Sequence, residues 1–280
     1  MPDYRADVAK TEYVESGPVT FAYRRLGPSG GVPLVLCMRF RGTIDHWDPA
    51  FLDEICADRE VIIFDNAGVG FSSGTVPASI GEMALGALDF IDALGLTTID
   101  LMGWSMGGFV AQSVALTRPG LVRRLIVAGS NPGKVDGAPR APQKTLEILP
   151  KPVNDDDDFL YLFFPETPSA QEAGRASLRR LEPRLASSGI SVSPGGGAAQ
   201  LGALLDWSAG KNAAWDRLHE LTMPVLVANG AHDVMTHAYH SYAMSQRLPD
   251  GKVVLYANGG HGFLFQFHED FAGEVNTFLS

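Results

Sequence analysis

Short runs of consecutive apolar residues recur along the chain from about residue 32 onward, each followed by a stretch with helical spacing. Leu34-Val35-Leu36-Cys37 and Val61-Ile62-Ile63-Phe64 are such runs, and Ile99-Asp100-Leu101-Met102 is nearly so. Segments apolar on both faces suit strands of a parallel sheet covered on both sides. Between the second and third run, Ser79 and Glu82 stand at capping-box spacing, and Ile80, Ala84, Ala87, Leu88, Ile91 and Leu94 form one stripe. Strand, helix, strand is a βαβ unit, and it implies a right-handed crossover.

The alternation predicts a helix from Ser105 to about Thr117, a strand over Leu125-Ile126-Val127-Ala128 and a later strand over Pro224-Val225-Leu226-Val227-Ala228. It then predicts a helix near residues 237 to 247, a strand over Val253-Val254-Leu255-Tyr256, and a C-terminal helix with Leu264, Phe267, Phe271 and Phe278 on one side. Residues 11 to 24 read as two strands joined by Ser16-Gly17-Pro18, an antiparallel edge. The fold class is α/β, a doubly wound, mostly parallel sheet.

From about Asn131 to Leu221 there is no strand signal. Helical pieces fill the gap: Asn154 before four aspartates, Ser169 with Glu172, and a stripe with Leu201, Leu204 and Leu205. The chain therefore divides into a core of residues 1–133 and 217–280 and a helical insertion of residues 134–216. Asp155 to Asp158 suit a helix N-terminus, where the dipole favours negative charge, and lack the Gly and Glu of a calcium loop. Ser187 to Gly197, rich in Ser and Gly, reads as a flexible segment.

Composition narrows the function. The 280 residues carry 22 Lys+Arg against 32 Asp+Glu, a net charge of −10, which disfavours nucleic acid and anionic membrane surfaces as partners. With 45% hydrophobic and 19% charged residues the chain has enough apolar surface for a sizeable core. Its 31 Gly and 18 Pro follow no repeat, so they read as turns. The start, Met1-Pro2-Asp3-Tyr4-Arg5-Ala6-Asp7, is acidic where a signal peptide needs positive charge, and no run of 18 apolar residues occurs. Cys37 and Cys56 have no C-x-x-C spacing and read as reduced core thiols of a cytoplasmic protein.

Chemistry concentrates at loops after strands. Gly103-Trp104-Ser105-Met106-Gly107-Gly108 follows an apolar strand and opens a helix, the strand-turn-helix context of a nucleophile elbow. A serine hydroxyl needs a base to take its proton and a group to orient that base. His261, in Gly259-Gly260-His261-Gly262, follows the last strand, and Asp233 follows the strand ending at Ala228. The chain order Ser105, Asp233, His261 is that of one hydrolase architecture. His46, His219, His237, His240 and His268 fall in helical or helix-flanking stretches and read as solvated or capping residues; His232, His237 and His240 could form a metal cluster, but the later two fit a helix surface better. Asp65 ends a strand before the glycine-built turn Asn66-Ala67-Gly68-Val69-Gly70-Phe71-Ser72 and reads as structural.

On these residues the chain resembles the α/β-hydrolase fold superfamily over nearly its full length. The elbow, the acid loop Asn229 to Asp233, the histidine loop Gly259 to Gly262 and the Asp65-x-x-Gly68-x-Gly70-x-Ser72 turn stand in the family's order. The resemblance implies that residues 134–216 form a helical cap, that no cofactor or metal is used, and that the protein is a serine hydrolase with Ser105, Asp233 and His261 as its catalytic residues. It implies an oxyanion hole from the backbone N–H groups of Phe40 and Met106. One motif departs: where the family usually places His-Gly after the first parallel strand, this chain has Arg39-Phe40 within Met38-Arg39-Phe40-Arg41-Gly42-Thr43. Arg39 either pairs with Asp45, Asp48 or another acid near the loop, which is the favoured reading, or faces the pocket and holds a substrate carboxylate.

Arg39, Trp104 and Phe163 are the candidate substrate contacts; Phe159, Tyr161, Phe164, Trp207 and Trp215 read mostly as core between insertion and sheet. A serine at the elbow disfavours epoxide hydrolases and haloalkane dehalogenases, which resemble this chain but use aspartate. The expected partner is a small to medium hydrophobic ester or lactone. A carbon–carbon bond hydrolase, a perhydrolase, a non-hydrolytic biosynthetic enzyme and a small-molecule receptor are the alternatives. The oligomeric state stays open, a homodimer included.

Overall fold

The computed structural model describes residues 4–151 and 153–280; the first three residues of the N-terminal stretch, and Pro152, lie outside them. Eight strands form one sheet: β1 (Glu12–Ser16), β2 (Val19–Leu26), β3 (Leu34–Cys37), β4 (Val61–Phe64), β5 (Ile99–Trp104), β6 (Val122–Ala128), β7 (Val225–Gly230) and β8 (Gly251–Tyr256). Their order is β1-β2-β4-β3-β5-β6-β7-β8. The β1–β2 and β2–β4 pairs are antiparallel and all the others parallel, so the sheet is doubly wound with an antiparallel edge, as expected.

The central strands are short and wholly buried because both faces are covered. In β3, Val35 and Cys37 join one core, with α3 (Ile80–Ala93) and α4 (Met106–Thr117), while Leu34 and Leu36 join the other. That second core holds α1 (Arg5–Val8), α2 (Pro49–Ile55), α10 (Phe263–Gln266) and α11 (His268–Leu279). Each Leu or Ile fully buried in this way contributes about 1.5–3 kcal/mol. Cys37 and Cys56 are both buried and unbridged.

Between β6 and β7 lie α5 (Gln143–Ile148), α6 (Asp156–Phe163), α7 (Pro168–Ser188), α8 (Pro194–Ser208) and a 3-10 turn over Trp215–Glu220; α9 (Tyr239–Ser245) follows β7. The insertion is therefore helical, with no strand among the described residues. Helix α7 is fastened to the core by Arg180, 2.7 Å from Asp48, and by Arg184, 3.1 Å from Asp45. No helix among the described residues is long and apolar enough to cross a membrane.

Several elements differ from the sequence pattern. The C-terminal helix is two, α10 and α11, broken at Phe267; the new axis puts Phe271, Val275 and Leu279 in the core and leaves Phe278 only partly buried. Ser187 to Gly197 is partly helical: α7 runs to Ser188 with Gly189 as its left-handed C-cap, residues 190–193 link the two helices, and α8 begins at Pro194 with the Ser193 side chain accepting from Gly196 N, so Gly195, Gly196 and Gly197 sit in a helical first turn. Helix α7 starts on Thr167 rather than Ser169, whose hydroxyl bonds Asn258 instead. At α3 the Ser79 side chain caps Glu82 N, but Glu82 reaches the Ser79 hydroxyl rather than its N–H. Strands β6 and β8 begin earlier than their apolar runs, because Arg123, paired with Asp100, and Lys252, paired with Glu274, hide the starts.

Candidate functional site

Six parallel strands, β3 to β8, end at one edge of the sheet, and the loops that leave them are where an open α/β sheet gathers its chemistry. The sharpest is the turn from β5 into α4. Ser105 sits there at φ 57°, ψ −123°, a conformation that costs a non-glycine residue of order 1–3 kcal/mol. The surrounding packing enforces it: a Cβ on Gly103 would lie 2.1 Å from the Gly107 carbonyl oxygen, and one on Gly107 would lie 2.0 Å from that of Cys37. Ser105 N donates to Ala128 O at 2.9 Å, and Ser105 O accepts from the Ser130 hydroxyl at 2.8 Å. Its own side chain does not cap α4, so the hydroxyl is held at the turn without a structural task.

Asp233 lies beyond β7 with both carboxylate oxygens engaged. Oδ1 accepts from the N–H groups of Met235 and Thr236, each at 2.8 Å, and Oδ2 lies 2.7 Å from His261 Nδ1. A carboxylate only accepts, so Nδ1 carries the proton and Nε2 is left as the acceptor. His261 is 1% exposed, and its Nε2 has no hydrogen-bond partner among the described residues. The loop that carries it is tied down twice, by Trp104 Nε1 donating to His261 O at 3.1 Å and by Gly262 N donating to Phe163 O at 2.7 Å.

Ser105 and His261 face the same cavity of about 510 Å³, within the range of small-molecule sites. Arg39, Phe40 and Phe163 line it too. Met106 is the first residue of α4, so the helix supplies no internal partner for its N–H. Phe40 stands on the loop after β3, its carbonyl accepting from Arg39 Nη1 at 2.8 Å. Next to it Arg41, at φ 55°, donates its N–H to Gln200 and its guanidinium to Lys151 O, tying this loop to the insertion.

Two expectations fail here. Trp104 is not a cavity residue: it is 0% exposed, and its ring packs between Phe163 and Phe265 while its N–H holds the His261 loop. Arg39 pairs with neither Asp45 nor Asp48, because Arg24 and Arg184 occupy the first and Arg180 the second. Its guanidinium lies instead over the rings of Trp104, 5.6 Å, and Phe163, 5.1 Å, and burial brings its pKa down to about 10.

Other residues take places the sequence pattern had not assigned. His240, read as a helix-surface residue, lines the cavity with its Nδ1 unpartnered, and burial pushes its pKa down to about 4. Lys134 and Arg140 line the cavity from the stretch after β6, whose position beyond a parallel strand was the available signal. Asp65 is structural as read, accepting from Ile44 N at 2.8 Å and Phe71 N at 2.9 Å, with burial raising its pKa to about 7. Asp155 caps α6 and Asp158 pairs with Lys151. Among the described residues one group of three candidate metal ligands comes together, Glu54, His268 and Glu269 on α2 and α11, outside the cavity.

His46 is partly buried beside Arg39 and accepts from Thr43 N at 3.0 Å; loss of contact with water, with the Arg39 charge adding to it, drives its pKa down to about 3. The unfolded chain protonates this ring near pH 6.5, so its contribution to stability is complete above that value and is lost as pH falls toward 3. The slope is up to about 1.4 kcal/mol per pH unit. Urea unfolding of the wild type and His46→Gln from pH 7 to pH 4 checks this. The variant is expected to show the shallower dependence, and equal slopes would mean that His46 charges inside the fold.

Comparison with known proteins bears on the whole arrangement. The family model described as alpha/beta hydrolase fold matches residues 33–267. A solved structure of an alpha/beta hydrolase fold protein from Chitinophaga pinensis is 34% identical with a TM-score of 0.89, covering 98% of each chain. A candidate carbamate hydrolase of Azorhizobium caulinodans is 25% identical over 90% of this chain and 91% of its own length. A candidate 2-succinyl-6-hydroxy-2,4-cyclohexadiene-1-carboxylate synthase of Bacillus subtilis is also 25% identical, over 95% of this chain and 96% of its own.

Proposed function

The chain belongs to the alpha/beta hydrolase fold family, and from that premise we propose that it is a serine hydrolase that cleaves a small to medium ester or lactone through an acyl-enzyme. What carries the reading is one observation: a buried imidazole, bonded to Asp233 through Nδ1 and with Nε2 unpartnered among the described residues, lines the same cavity as the strained Ser105. In the proposed reaction His261 Nε2 takes the Ser105 proton as Oγ bonds to the substrate carbonyl carbon. The N–H groups of Phe40 and Met106 stabilise the oxyanion, at about 3 kcal/mol each. Collapse breaks the bond to the leaving oxygen, which receives the proton from Nε2. Water, deprotonated by the same nitrogen, then releases the acid and restores Ser105.

Asp233 keeps the imidazole oriented and steadies its charged form during both steps. The reaction as written needs no cofactor. Residues 134–216 act as a cap: Leu146, Leu162 and Leu204 supply the apolar wall that selects the acyl or alcohol portion. The relatives named for carbamate hydrolysis and for a carboxylate synthase widen the trial set to carbamates and to substrates that react without adding water.

The test is a panel of ethyl esters of graded acyl length, five- and six-membered lactones and phenyl carbamates, with the products identified by mass. It is run alongside labelling with a fluorophosphonate. The expected result is hydrolysis of an ester or lactone, one water added per turnover, and an adduct on Ser105. A carbamate favoured over every ester would move the substrate class. An absence of turnover with no adduct on Ser105 would end the serine-hydrolase reading.

A further inference from the structure

We propose that the substrate acted on at Ser105 carries a carboxylate, received by the guanidinium of Arg39 beside the reacting carbonyl. This deepens, and rests on, the reading of Ser105 as nucleophile. Arg39 is a cation with no counter-ion among the described residues. Arg39 Nη1 donates to Phe40 O, but Nε is buried and has no partner among the described residues. The nearby carboxylates serve other partners, although Asp45 Oδ2 itself has none among the described residues. Asp45 takes Arg24 and Arg184, Asp48 takes Arg180 and the Ser177 hydroxyl, and Asp65 takes two backbone N–H groups. The neighbouring His46 ring is neutral at physiological pH.

Withdrawing a guanidinium from water with no anion beside it is unfavourable, and the faces of Trp104 and Phe163 offset only part of that cost. The charge persists at neutral pH all the same, since its lowered pKa stays near 10. A stored positive charge in a cavity is what an anionic ligand requires. The rest of the wall agrees: Arg41, Lys134 and Arg140 line the same cavity, and no Asp or Glu does among the described residues, in a chain whose net charge is −10. The cavity runs against the sign of the whole molecule.

Geometry places the anion close to the chemistry. Trp104 and Phe163, the rings under the Arg39 guanidinium, are also the rings against which His261 packs, at 5.8 and 5.5 Å between centroids. Arg39 also directly precedes Phe40, the proposed oxyanion donor. With Nη1 on the Phe40 carbonyl and Nε buried, Nη2 is the nitrogen left to meet a carboxylate oxygen, with the delocalised charge of the guanidinium behind it. The substrate class is then a half-ester of a short dicarboxylic acid, or a lactone bearing a carboxylate near its ring carbonyl.

The experiment compares matched pairs on the wild-type protein: monoethyl esters of malonate to adipate against ethyl esters of the monoacids of equal length, and a γ-lactone with and without a ring carboxylate. In wild type the anionic member is expected to have kcat/KM about 10- to 100-fold higher, the range of a charge-assisted pair. In Arg39→Gln the ratio collapses toward one, mostly through KM, and Arg39→Lys restores part of it. Because Arg39→Gln could fold poorly, inhibition of the wild type by free glutarate against neutral glutaramide gives a second reading, with glutarate expected to bind more tightly. Neutral esters turned over as well as anionic ones, with no preference for glutarate, would overturn the carboxylate site and leave the nucleophile standing. Failure of every pair together with no fluorophosphonate adduct on Ser105 would overturn both.

Discussion

Ser105→Ala is expected to lower kcat for the best ester or lactone by about 10⁵- to 10⁶-fold, to the level that binding and the oxyanion donors alone sustain. The same substitution should leave folding stability within about 0.5 kcal/mol of wild type. Both halves follow from the turn between β5 and α4. The hydroxyl supplies the electron pair for the new bond, and no other group in the proposed mechanism can replace it. Yet Oγ does not cap α4, and the strained backbone at φ 57° is held by Gly103, Gly107 and the hydrogen bonds of the Ser105 peptide, none of which alanine alters. His261→Ala should lose nearly as much activity, and the double variant little more, since the two act as one unit. Single-turnover assays and urea unfolding on the same preparations check it. A Ser105→Ala protein with wild-type turnover would refute the assignment, and one that unfolds would show that the hydroxyl has a structural role.

Where the sequence was legible, a local pattern and the tertiary structure asked the same thing of the residues. β3 and β4 are read directly because a strand covered on both faces must be apolar at every position. The elbow is read because the close approach of Gly103 to Gly107 and of Gly107 to Cys37 leaves no room for side chains. The unread parts depend on residues distant in sequence. Asp45 and Asp48 look available to Arg39 until α7, some 130 residues later, brings Arg180 and Arg184 to them. Trp104, beside the nucleophile, looks like a substrate contact until the His261 loop and Phe163 close over it. His240 follows a helical spacing that gives no hint that the cavity reaches it.

The same reassignment of acids predicts the largest stability effect. Asp45 is 0% exposed and meets Arg24, itself 2% exposed, at 2.7 Å; Arg184 reaches it at 3.1 Å from α7 with a quarter of its side chain in solvent. Burial pulls the Arg24 pKa down and Asp45 raises it again, so the carboxylate keeps that guanidinium charged in the interior. Asp45→Ala leaves Arg24 buried with only Thr11 Oγ1, 3.0 Å from its Nε, as a side-chain partner, and is expected to cost about 3–5 kcal/mol. Arg184→Ala removes the more exposed cation and should cost about 1 kcal/mol or less. Replacing both buried partners, as in Asp45→Ala with Arg24→Met, should recover most of the loss, because the unpaired charge and not the missing contact is what destabilises. Urea unfolding followed by tryptophan fluorescence separates the three variants. A double variant no more stable than Asp45→Ala would mean that the pair acts through packing of β2 against the loop after β3, and that its charges are incidental to the fold.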